Sequence, residues 1–156
     1  MANFVYLSKE RLHELEQELK ELKTNGRKQM AERIAEARAH GDLSENAEYD
    51  AAKDEQGLLE LKISKMETML SRAQIIDISS MPRDQIHILS KVEVKNLNNS
   101  KVFNYMLVSP EEADLQKGKI SMTSPVGQSL MGKKVGDIVQ AKVPAGIIKF
   151  EILNVE

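Results

Sequence analysis

Two carboxylates, Asp42 and Glu45, stand three residues apart in the stretch Gly41-Asp42-Leu43-Ser44-Glu45-Asn46-Ala47-Glu48-Tyr49. At that spacing on a helix start both acids leave the chain on the same side, and Glu48 follows at the next such step. Two chemistries suit the pattern. Asp-x-x-Glu is a capping box, with Asp42 as N-cap of a following helix and Gly41 as the residue that lets the preceding helix stop in the left-handed region. Asp and Glu are also hard oxygen ligands of the kind Mg²⁺ takes, and one carboxylate can cap and coordinate. Two carboxylates cannot fill an octahedral shell, so a metal held by Asp42 and Glu45 requires ligands from a partner.

The flanking elements decide whether these acids can reach such a partner. Ser8 is a suitable N-cap, and Leu12, Leu15, Leu19 and Leu22 follow at heptad spacing. The seam breaks at Gly26 and resumes at Met30, Ile34 and Ala37, a shift that resembles a stutter. After the acidic stretch, Leu59, Ile63, Met66, Leu70 and Ala73 carry a second seam. Matching Leu12 with Leu70, Leu15 with Met66, Leu19 with Ile63, Leu22 with Leu59 and Met30 with Ala52 makes the two seams mirror images. Their fold-back point is His40-Gly41, where turn chemistry independently puts it. The expectation is an antiparallel coiled coil over 1–75, with helices of about 30 residues and a rod roughly 45 Å long, and the acids at its tip.

Beyond residue 75 the helical period ends. Strands are expected at Ile75–Ile78, Lys91–Leu97, Val102–Val108, Lys119–Met122, Asp137–Val143 and Ile147–Val155. Met81-Pro82-Arg83-Asp84 forms a linker. Ser124-Pro125 opens a short helix that ends near Gly132. The fold class is therefore α+β, a helical hairpin over 1–75 followed by a small antiparallel sheet domain with short helices over 76–156.

Composition narrows the function. The 156 residues are 41% apolar and 29% charged, with a formal net charge of −2. Residues 1–75 carry 12 Lys+Arg against 15 Asp+Glu, net −3, and residues 76–156 carry 10 against 9, net +1. Neither half has the basic surplus of a nucleic-acid-binding domain. The absence of cysteine excludes disulfides, thiolate metal sites and a cysteine nucleophile. His13, His40 and His87 match no metal spacing, and no phosphate-binding glycine loop or Ser/His/Asp arrangement is present. The start lacks the basic region of a signal peptide and no apolar run reaches membrane-spanning length, so a cytoplasmic protein is expected.

The run Ala35 to Tyr49, above all Gly41 to Tyr49, closely resembles the tip of the bacterial Gre transcript-cleavage factors, GreA type. Ser124-Pro125 through Gly132-Lys133, Val135-Gly136-Asp137 and Pro144-Ala145-Gly146 resemble the C-terminal signature of that family, so the likeness covers essentially the whole chain. It implies a monomer, with no membrane contact, that docks on bacterial RNA polymerase through an FKBP-like C-terminal domain and inserts the coiled coil into the secondary channel. Asp42 and Glu45 would share a Mg²⁺ with the polymerase and help its active site hydrolyse the backtracked RNA 3′ end. The factor would be no nuclease alone and would have no tightly bound cofactor. The resemblance assigns Arg38 and Lys53 to face the extruded RNA, although solvated charge explains them as well. It assigns Gly41, Ser44, Asn46, Glu48 and Tyr49 to support the tip, although Tyr49 packing against the turn is an equal reading. Ser124, Pro125, Gly132 and Lys133 would mark the docking surface, with Val126, Leu130 and Met131 read as core. The net −3 of the rod favours the GreA side, which implies short cleavage products. Competing readings are a channel-binding inhibitor of the same fold, a coiled-coil adaptor and a free metal-dependent nuclease.

Overall fold

The computed structural model describes residues 4–41 and 46–156. The chain divides into two compact units, Glu10–Arg72 and Met1–Lys9 together with Ala73–Glu156.

The first unit is an antiparallel helical hairpin. One strand of it is α1 (Lys9–Glu21), a π-helical turn over Leu22–Gly26 and α2 (Arg27–Ala39); the returning strand is α3 (Ala47–Ser71). Leu15, Met30, Ile34 and Ala37 are buried on one side, and Ala52, Ile63 and Met66 on the other. Leu12, Leu19, Leu22, Leu59 and Leu70 are half-buried in the same seam. α2 lies closer to α3 than α1 does, as the small Ala37 and Ala52 allow. The break expected as a stutter is localised in the π turn, where the Arg27 N–H donates to the Leu22 carbonyl five residues back. There Gly26 lies against Leu59, whose Cδ1 would make ordinary contact, at 3.5 Å, with a β-carbon at this position.

Ion pairs lace the exposed flanks. Arg27 grips Glu60 with two hydrogen bonds, Nη2 to Oε1 at 2.9 Å and Nε to Oε2 at 3.1 Å. Arg33 pairs with Glu55, Lys23 with Glu67 at 3.8 Å and Lys62 with Glu18 at 3.7 Å.

The second unit holds two sheets. β1 (Val5–Leu7) pairs in parallel with β2 (Ala73–Ile75). The buried Ser109 Oγ accepts the Tyr6 N–H at 2.8 Å and so seats β1. A strand over Ile75–Ile78 is not formed. The strand ends at Ile75, and Ile78–Ser80 is a 3₁₀ turn because the Asp77 side chain accepts the Ser79 N–H. The larger sheet contains β3 (Lys91–Asn96), β4 (Val102–Val108), β5 (Lys119–Ser121), β6 (Ile138–Val143) and β7 (Gly146–Val155), in the order β5-β4-β3-β7-β6. It is mixed rather than purely antiparallel, because β5 runs parallel to β4. The two 3₁₀ turns between them, Pro110–Glu112 and Leu115–Lys117, turn the chain back for that pairing. The inward residues of β3, β4, β6 and β7 form one core, closed by the fully buried Leu130 of α4 (Pro125–Leu130).

Candidate functional site

The acids Asp42 and Glu45, with Ser44, lie outside the described residues, so the structure bears on them through their neighbours. α2 ends at Ala39 with His40 as its C-cap, and Gly41 follows at φ +121°, a conformation that only glycine adopts without strain. The N-cap of α3 is Asn46 rather than Asp42: its side-chain oxygen accepts the Tyr49 N–H at 3.0 Å. This corrects the capping-box reading. Asn and Asp cap about equally well, and the chain uses the one adjacent to the helix. The Asn46 Nδ2 donates to the Ala37 carbonyl at 2.6 Å, so one side chain caps α3 and ties it to the last turn of α2.

Four more tip residues meet in two pairs. The Arg38 guanidinium lies 5.9 Å from the centre of the Tyr49 ring, a cation–π arrangement. Arg38 and Tyr49, assigned separately from sequence, thus form one contact, and Tyr49 is half-buried beneath it. The His40 Nε2 is 3.3 Å from Glu48 Oε2, so the acid at the third step already has a partner within the tip. Sequence reasoning missed His40 because a lone histidine carries no spacing signal. Lys53 stands apart on the exposed face of α3 and donates to Gln56 at 2.9 Å. Among the described residues, no three His, Asp or Glu side chains converge as metal ligands.

The segment expected to dock lies in the other unit. Ser124 caps α4: its Oγ accepts the Gly127 N–H at 3.0 Å and donates to the Ser121 carbonyl at 2.7 Å. Its hydroxyl is therefore committed to holding α4, while Pro125 beside it is exposed. Gly132, at φ +79°, donates to the Ile86 carbonyl, and the Lys133 carbonyl accepts the Ile86 N–H, each at 2.8 Å. That leaves the Lys133 side chain exposed. Leu130 is core, and Val126 and Met131 pack against it.

Residues 5–75 match the family model "Transcription elongation factor, N-terminal", and residues 81–156 match "Transcription elongation factor, GreA/GreB, C-term". The protein named transcription elongation factor GreA from Chlorobium phaeobacteroides is 52% identical over 157 residues, covering 99% of this chain and 98% of that one. Those of the same name from Flavobacterium psychrophilum and Chloroherpeton thalassium are 51% and 49% identical, again over 98% or more of both chains. A solved structure of the transcription factor Gfh1 is 29% identical with a TM-score of 0.50, covering 100% of this chain and 99% of that one. With both halves matched in order and full-length relatives near half identity, the chain belongs to the GreA/GreB family of transcription elongation factors.

Proposed function

We propose that this protein binds bacterial RNA polymerase, inserts its helical hairpin as a coiled coil into the secondary channel, and stimulates the polymerase's own cleavage of backtracked RNA. The sheet unit, read as FKBP-like, docks through the surface around Pro125 and Lys133. What supports the reading is that residues 40–46 connect α2 to α3, so the acids fall in sequence within the connection that a hairpin carries far from its base.

The donor chemistry fits Mg²⁺. Asp42 and Glu45 offer hard carboxylate oxygens, and Asn46 fills the capping position of α3, so neither acid is needed there. When bound between these acids and the polymerase, Mg²⁺ supplies Lewis-acid activation of water. The residues of this chain do the positioning. Asn46 joins the last turn of α2 to the first of α3, and the Arg38–Tyr49 contact stiffens the same junction. Arg38 and Lys53 present positive charge to the extruded RNA. The factor acts through the polymerase and hydrolyses nothing alone.

The test is cleavage of labelled RNA in a backtracked polymerase complex with Mg²⁺. Asp42→Asn and Glu45→Gln should each abolish stimulated cleavage while competing for polymerase as well as the wild type. Loss of binding in either variant would contradict the separation of tip from dock. Occupancy of the channel without stimulation by the wild type would favour an inhibitor.

A further inference from the structure

The two strands of the hairpin do not match in length. α3 carries an unbroken seam from Tyr49 to Leu70 in alternating steps of 3 and 4. The facing strand keeps that rhythm from Leu12 to Leu22, then takes three consecutive steps of 4, through Gly26 and Met30 to Ile34. Continued in heptad register, the seam beyond Gly26 would hold Gln29, Arg33 and Glu36, all of which are exposed. The buried residues are Met30, Ile34 and Ala37, each one place further on. One residue is therefore supernumerary, and the π turn over Leu22–Gly26 accommodates it. Thr24 marks the distortion, its hydroxyl donating back to the Lys20 carbonyl at 2.8 Å.

Folding alone does not require this extra residue. If Asn25 were removed, Met30, Ile34 and Ala37 would fall into the places of an uninterrupted heptad and still face α3, with Arg27 taking the seam place of Gly26. Asn25 is exposed, with its side chain on the Glu21 carboxylate at 2.7 Å, and the long Arg27 stem can lie on Leu59 with its charge in water, so the loss removes no buried side chain. What its removal changes is reach. One residue advances a helix by about 1.5 Å, and the strand that gains it ends in the turn where Ala37 meets Asn46 at 2.6 Å.

We infer that the supernumerary residue in the π turn is a positioning device, which advances the end of α2 into register with Asn46 and so fixes where the following acids are presented. The inference rests on the cleavage reading. Its magnitude follows from the chemistry served, in which a displacement of about 1 Å can cost about 100-fold in rate.

The experiment uses the full-length protein, a variant lacking Asn25, and that variant with one alanine inserted after Gln29, which restores the missing residue nearer the tip. The deletion should fold, compete for polymerase within about twofold of wild type, and lose roughly 10- to 100-fold in cleavage rate at saturating factor. The side-chain amide protons of Asn46, held by the Ala37 carbonyl, should exchange faster in the deletion. The inserted alanine should recover both the rate and the protection. Wild-type cleavage by the deletion, or no recovery on insertion, overturns the inference, as does a deletion that fails to fold, since the heptad argument would then be wrong. If the wild type itself stimulates no cleavage, the functional reading fails instead, and exchange of the Asn46 side-chain amide alone decides the positioning claim.

Discussion

At the scale of single residues, Asn46 carries more of the tip than any other described side chain, because its oxygen and its nitrogen serve different helices. The two jobs separate by substitution. Asn46→Ala removes both and should destabilise the start of α3 by about 1 kcal/mol, the usual loss for an N-cap. Asn46→Asp keeps an acceptor for the Tyr49 N–H but loses the donor to Ala37 and turns a carboxylate toward that carbonyl. Amide exchange at Tyr49 should therefore accelerate in Asn46→Ala and stay slow in Asn46→Asp, while stimulated cleavage falls in both. Normal cleavage by Asn46→Asp would mean that the Ala37 link is dispensable. Gly57 offers a simpler case. It sits exposed in the middle of α3, and apart from its own helix backbone and chain neighbours nothing lies within 4 Å of where a β-carbon would go. Gly57→Ala should stabilise the hairpin by about 0.5–1 kcal/mol, read as a higher Tm, since glycine loses the most backbone freedom on entering a helix.

At the scale of elements, the hairpin was legible because apolar residues recurring every three or four places leave few alternatives to a packed helix. Leu15, Ile63 and Met66 were named by that period and are buried. The period does not tell how a phase break is absorbed, since a slip can spread over several turns or collect in one, and here Thr24 and Gly26 favour one π turn. Capping was misplaced: Asp42, Ser44 and Asn46 are all capping types within five residues, and the Asp-x-x-Glu spacing drew the assignment to Asp42 where the helix uses Asn46. The parallel pairs β1–β2 and β4–β5 were illegible: a strand at Lys119–Ser121 was expected, but the direction of its pairing leaves no mark in so short a segment, and Val5–Leu7 holds too few residues to show alternation. The ion pairs make a prediction at this scale. The hydrogen bonds from Arg27 hold the Glu60 carboxyl below its ordinary value of 4.5, with the charge of Arg27 adding to them. A depressed carboxylate stabilises the fold above that ordinary value, and the contribution is lost as the pH falls through the folded one. The Tm of Glu60→Gln should thus lie below wild type at pH 7 and converge with it in strong acid. Both side chains are exposed, so high salt should shrink the gap at pH 7. A gap independent of pH would assign the effect to packing.

At the scale of the whole molecule, the proposal divides labour between a tip that acts and a sheet unit that holds on, and the division is testable in a mixture. An Asp42→Asn protein that still docks should be a competitor. At tenfold excess and equal affinity, mass action leaves wild type on roughly a tenth of the polymerase, and cleavage should fall by that factor. The competition must disappear when the dock is damaged. Gly127 offers the means, because it lies in the first turn of α4, where a β-carbon would collide with the Ser121 carbonyl and reach Met122 Cα at 3.0 Å. Both neighbours are backbone, so Gly127→Ala must displace α4 and, with it, the surface around Pro125 and Lys133. The double variant Asp42→Asn, Gly127→Ala should fold less stably and leave wild-type cleavage untouched at the same excess. A mild lesion in the sheet unit that leaves the competition intact would instead mean that the hairpin holds the polymerase by itself. The contact between factor and enzyme would then have to be sought along the exposed faces of α2 and α3.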